Sequence, residues 1–95
     1  MDKPTLFTIN TFETRQDPEY AYKGVYRTST YPTNKVYASY EDASSAAYAM
    51  AQKYASQLKE TEESIQSIED GFVFPMPWDR YEQNAFVVRE LEWER

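Results

Sequence analysis

Carboxylates fall close together at five places along this chain: Glu41/Asp42, Glu62/Glu63, Glu69/Asp70, Asp79/Glu82 and Glu90/Glu92/Glu94. Two carboxylates do general acid and base work when burial or mutual repulsion drives their pKa values apart. These pairs lie in polar stretches and at the expected ends of elements, where solvent keeps both acids ionised. A solvated face or a contact surface is the use such acids suggest. The other groups behind most enzymatic chemistry are missing. There is no histidine to exchange protons near neutral pH and no cysteine to attack a substrate or hold a soft metal. Two glycines, Gly24 and Gly71, cannot build a phosphate-cradling loop. No segment has the oxygen-ligand spacing of an EF-hand, because Glu69-Asp70-Gly71 lacks the flanking ligands. The expectation is therefore a non-enzymatic protein with no catalytic residue, no cofactor and no metal. An enzyme built from tyrosine, lysine and carboxylate alone would need a carboxylate held protonated in an apolar cleft.

What remains is acid, aromatic ring and hydroxyl. Tyr20, Tyr22 and Tyr26 alternate along one expected strand face, among nine tyrosines in all. Proteins that stack unpaired bases on such rings also supply a basic groove, and only Lys23, Arg27 and Lys35 lie near these. Core packing with the hydroxyl at the rim, or a protein interface, suits them better. In Phe74-Pro75-Met76-Pro77-Trp78, two prolines hold an extended segment whose rings either plug the core or anchor a partner. Glu90, Glu92 and Glu94 alternate at roughly 7 Å, twice the strand rise. That spacing imitates a line of phosphates, and it equally protects a sheet edge from aggregation.

The formal charge of −6 is unevenly placed. Up to residue 40, Asp2, Glu13, Asp17 and Glu19 are slightly outnumbered by Lys3, Arg15, Lys23, Arg27 and Lys35; beyond it, acids far outnumber Lys53, Lys59, Arg80, Arg89 and Arg95. A nucleic-acid binder presents the opposite, a basic face that displaces counterions. The balance argues against direct contact with nucleic acid or an anionic membrane. At 95 residues the chain has room for one domain over 1–95, with residues 1–4 expected to be flexible. No apolar run reaches the ~18 residues of a membrane span, and no leader pattern opens the sequence. Together with the absence of cysteine, this gives a cytoplasmic expectation.

Three strands are expected first, over Thr5–Phe12, Tyr20–Thr30 and Lys35–Ala38, from their β-branched and aromatic alternation. Gln16-Asp17-Pro18 and Tyr31-Pro32-Thr33-Asn34 read as the turns between them. The period then changes to that of a helix over about Glu41–Lys59. Ser39 stands as its cap, with Asp42 three residues on, and Ala43, Ala46, Ala47, Met50, Tyr54 and Leu58 form its apolar stripe. Glu60, Glu62 and Glu63 suit the first turn of a short second helix capped by Thr61 that carries Ile65 and Ile68 inward; a helix continuing to Ile68 fits nearly as well. Asp70-Gly71 marks a turn, Phe72–Phe74 a short strand, Asp79–Asn84 a polar connection and Ala85–Trp93 a last strand. The order β-β-β-α-β-β gives an α+β domain, a small antiparallel sheet with the main helix on one face.

In size and composition the chain resembles the small acidic single-domain inhibitors and regulators that phages and mobile elements direct against host nucleic-acid enzymes. The resemblance implies a basic protein partner, such as a nuclease, a polymerase or a CRISPR-type complex, whose nucleic-acid channel an acidic and aromatic surface would occlude. The residues expected at that contact are Glu60, Glu62, Glu63, Glu69, Asp70, Glu90 and Glu92, with Trp78 and Tyr81 as anchors. The alternative is a structural or assembly subunit that forms a homodimer through a sheet edge or the tyrosine face.

Overall fold

A computed structural model describes residues 5–19, 24–58 and 64–91. Two strands come first, β1 over Phe7–Gln16 and β2 over Tyr26–Pro32, and one helix follows, α1 over Tyr40–Gln57. Three further strands follow among the described residues, β3 over Gln66–Ile68, β4 over Gly71–Met76 and β5 over Asp79–Glu90. The strands form one sheet in the order β2-β1-β5-β4-β3, with every neighbouring pair antiparallel. The fold is a small α+β sandwich of one sheet and one helix, as its sequence pattern predicts. The helix connects one sheet edge, β2, to the other, β3, by crossing the face of β1, β5 and β4.

Side-chain size explains how closely the helix lies. Ala43, Ala47, Ala51 and Ala55 recur every fourth residue and are all buried. Positions four apart share one helix face, so these methyl groups form a flat ridge that lets the backbone approach the sheet. Ile9, Phe86 and Val88 meet the ridge from below, and Phe7, Met50, Tyr54, Ile65 and Phe72 close its flanks. Phe74 and Met76 continue the core under Ala55, where Leu58 also packs. The helix begins as the sequence suggests, with the Ser39 hydroxyl accepting from the Asp42 N–H at 3.1 Å.

Several boundaries differ from the sequence expectation, each for a local reason. The alternation assigned to Tyr20–Thr30 breaks at Gly24, which takes a left-handed φ of 67°, so β2 starts at Tyr26; Tyr20 and Tyr22 lie outside the described residues. β2 then runs through Pro32, which an outer edge strand tolerates because no neighbour needs its missing N–H. The strand expected over Lys35–Ala38 is reduced to one bridge, in which Tyr37 and Phe7 exchange both backbone hydrogen bonds.

The largest differences follow the helix. The second helix expected over Thr61–Ile68 is not formed at its described end, since Gln66–Ile68 pairs with β4 as a strand. Ile65 packs into the core as expected, but Ile68 is exposed. The polar connection expected at Asp79–Asn84 is the first half of β5, because pairing with β1 and β4 outweighs its polar composition. β4 passes Pro75 because β3 reaches only as far as Val73, which leaves the outer side of Pro75 free of a ladder partner.

Candidate partner-binding site

The antiparallel register of β5 decides which expected contact residues can act together. Glu90 closes β5 on the same sheet face as Phe86 and Val88, and it stands opposite Phe7 at the start of β1. The β3–β4 turn, Glu69-Asp70, lies beside the same end, since the Val88 N–H donates to the Asp70 carbonyl at 2.7 Å. Glu69, Asp70 and Glu90 therefore gather at one end of the sheet. Trp78 and Tyr81 sit at the β4–β5 turn, at the opposite end of β5. Tyr81 and Glu90 lie nine positions apart along the strand, roughly 30 Å. These two rings are therefore not neighbours of Glu69, Asp70 and Glu90. Glu60, Glu62, Glu63 and Glu92 lie outside the described residues.

The helix brings its own acids to this end. Its first turn carries Glu41 and Asp42 and begins at Tyr40, whose hydroxyl donates to Asp70 Oδ1 at 3.2 Å. The Tyr40 ring meets Phe7 edge-on, 5.9 Å between centroids and 82° between planes. Partial desolvation raises the Tyr40 phenol above its ordinary value of 10.0, followed by the hydrogen bond to Asp70 and the charges of Asp70, Glu41 and Glu69. Tyr40 thus sits in the negative field of acids from two separate elements. Asp70 has a left-handed φ of 60°, which aspartate adopts more readily than most residues.

Two hollows flank the Tyr40 ring. The larger, about 540 Å³, opens between helix and sheet and is lined by Tyr40, Glu41, Ser44, Ser45, Tyr48 and Phe72. It is a shallow, open hollow in which Ser44 and Ser45 lie between Tyr40 and Tyr48, and the Tyr48 and Phe72 rings, 5.0 Å apart, form one wall. The smaller, about 230 Å³, is lined by Phe7, Tyr40, Asp70, Val88 and Glu90. Among the described residues, neither lining includes a lysine or an arginine. Among the described residues, no three acids are arranged to hold a metal ion. The site offers aromatic rings beside Asp70 and Glu90, for which no ion pair forms among the described residues.

The chain matches no family model, no curated protein and no solved structure.

Tyr40, Tyr48 and Phe72 were not expected at a contact site. The signal was present in the helix: tyrosines at 40 and 48 with Ser44 midway follow the four-residue spacing of the alanine ridge and define a neighbouring stripe.

The opposite end holds a separate cluster. Tyr26 and Tyr81 pack 5.8 Å apart on the face away from the helix, and the Tyr26 hydroxyl donates to Asp79 Oδ2 at 2.8 Å. Trp78 donates through Nε1 to Glu82 Oε1 at 2.5 Å while its ring remains exposed. A buried carboxylate, Asp17, has a structural place here: Oδ1 accepts from the Glu19 N–H at 3.0 Å, and Oδ2 faces Arg27 Nε at 2.5 Å.

Proposed function

We propose that this chain is a non-enzymatic interaction protein whose acidic, aromatic end docks on a basic surface of a partner protein. The partner class that fits best is one that uses such a surface to hold nucleic acid, a nuclease, a polymerase or a CRISPR-type complex, so that docking inhibits or regulates it. The observation that carries this reading is the convergence of Glu41, Glu69, Asp70 and Glu90 from the helix, a turn and a strand end around the Tyr40 groove. Acids in a helix's first turn are useful to the helix itself, by about 0.3–1 kcal/mol each. That accounts for Glu41 and Asp42 but not for Glu69, Asp70 or Glu90. Opposite potentials across an interface speed encounter and fix register. The reading places the protein in the cytoplasm, where such partners work; among the described residues, no helix is long and apolar enough to cross a membrane.

The test uses the whole chain as bait in an extract of its native host, beside a variant carrying Glu69→Lys, Asp70→Asn and Glu90→Lys. Asparagine is chosen at 70 because it tolerates the left-handed backbone. A protein retained by the wild type, lost by the variant and displaced by duplex DNA supports the reading. Retention that is equal for both baits and indifferent to DNA overturns it.

One observation favours a second reading, a homodimer through the sheet edge. Arg27 to Pro32 of β2 are all exposed along an outer strand that has one neighbour, β1, among the described residues. Unpaired strand edges invite a further strand. A strict monomer by light scattering at millimolar concentration removes this reading.

A further inference from the structure

We infer that the two hollows flanking Tyr40 receive one segment of the partner protein, a large apolar side chain in the groove and an adjacent arginine in the carboxylate-lined hollow. The inference rests on the docking reading above and names what the partner must present.

Size and lining assign the two places. The groove of about 540 Å³ is walled by Tyr40, Tyr48 and Phe72, with Glu41 at its rim. Rings of this kind favour an aromatic or large aliphatic occupant, which gains both burial and ring contact. The hollow of about 230 Å³ has less than half that volume and presents Asp70 and Glu90 beside the Phe7 and Tyr40 rings. It suits a cation on a slender stem. Tyr40 lines both hollows, so their occupants must be neighbours in the partner.

Arginine fits the second hollow better than lysine. Its planar guanidinium stacks on aromatic faces and donates in a fork to carboxylates, whereas an ammonium is a point charge that holds its water more tightly. Asp70 Oδ1 is already engaged by the Tyr40 hydroxyl, which fixes that carboxylate against the ring instead of leaving it free to rotate. The site is in this sense ready before a partner arrives, and preorganisation lowers the cost of binding.

The experiment is a titration of the 15N-labelled protein with blocked hexapeptides, followed by amide chemical shifts. The probe is Gly-Ser-Trp-Arg-Ser-Gly, with Trp-Lys, Trp-Gln and Ala-Arg versions as comparisons. The expected result is shifts at Tyr40, Glu41, Ser44, Ser45, Tyr48, Asp70 and Glu90, with Trp78 and Tyr81 unmoved. Affinity should fall about tenfold or more for Trp-Gln and for Ala-Arg, and by a smaller factor for Trp-Lys. Asp70→Asn should cancel the preference for arginine over glutamine, and Ser45→Phe, at an exposed helix position, should fill the groove and cancel the preference for tryptophan. Thermal melts of both variants confirm that each remains folded. No shift at millimolar peptide, shifts centred on Trp78 and Tyr81, or equal affinity for all four peptides overturns the inference. If that occurs while the host partner is still lost by the charge variant, the docking reading survives without this mode; if partner retention is also indifferent to charge, both fail.

Discussion

Replacing Ala47 by leucine tests the closeness of helix and sheet, on which the position of Tyr40 and the groove depends. Ala47 has no accessible surface and sits mid-ridge above Ile9, Phe86 and Val88. Leucine adds three carbon atoms. If a void stood there, their burial would stabilise by about 0.8 kcal/mol each. With the ridge in contact, they must displace either the helix or the strands, and overpacking of this kind costs about 1–3 kcal/mol. A chain of 95 residues has roughly 5–14 kcal/mol of stability in total, so the loss is a large part of it. At about 4–8 °C per kcal/mol, the melting temperature should fall by roughly 4–24 °C. Ala49→Leu, at an exposed position of the same helix, is the control, because leucine and alanine differ little in helix propensity. Circular dichroism melts of the two variants and the wild type decide the matter. An Ala47→Leu variant as stable as the wild type would show room between the layers and refute the ridge as the device that seats the helix.

Three further outcomes follow from other contacts. A Cβ at Gly71 would press on the Phe86 carbonyl oxygen and lie 2.9 Å from Val87 Cα, so Gly71→Ala should destabilise by about 1–3 kcal/mol in a denaturant titration, whereas Gly24→Ala, with open space but a φ of 67°, should cost only about 1–2 kcal/mol of backbone strain. Arg15 donates to Tyr54 Oη at 3.0 Å and Asn84 Oδ1 at 2.8 Å, so Arg15→Ala should cost about 1–3 kcal/mol by stranding the buried Asn84, and Arg15→Lys should restore only part because a single ammonium lacks the fork. The Tyr26 phenol is raised above 10.0, first by its hydrogen bond to Asp79 and then by desolvation, and Tyr40 is raised as described. Their protonated forms are favoured by the fold, so this contribution is whole below pH 10 and is lost as pH climbs through the raised values. In a spectrophotometric titration of tyrosinate, Tyr26→Phe and Tyr40→Phe should each remove one late-ionising group; a profile unchanged by both contradicts the two hydrogen bonds.

The helix was the part of the fold most legible in the sequence. Ser39 and the acids after it are local signals, and the helix they open is the one formed; of its expected stripe Ala43 and Ala47 are buried, whereas Ala46, Met50, Tyr54 and Leu58 are half-buried at the flanks and the ridge continues instead through Ala51 and Ala55. The faces of β1 were legible too, since Ile9 is buried beneath the helix while Phe12 lies on the other face under Arg89. Strands whose identity depends on distant partners were not. Gln83 and Asn84 have the composition of a loop, and only the ladders with Thr14, Glu13, Pro75 and Phe74 make them strand. Gln66–Ile68 follows a stretch whose sequence suits a helix, and it becomes strand because the Asp70 turn folds it onto Gly71–Val73. For the site, the acidity of Glu69, Asp70 and Glu90 could be read directly. Their separation from Trp78 and Tyr81 could not, because a linear sequence does not show that β5 extends back through Asp79 and carries the two groups to opposite ends.

The measurement that bears most directly on the docking account is the affinity for the captured partner as a function of salt, for the wild type and for the variant bearing Glu69→Lys, Asp70→Asn and Glu90→Lys. Screening shortens the reach of charge from about 10 Å at 0.1 M to about 3 Å at 1 M. The account predicts that wild-type affinity falls at least about tenfold across that range and that the variant binds weakly with a much flatter dependence. A wild-type affinity that does not change with salt, matched by the variant, would contradict it.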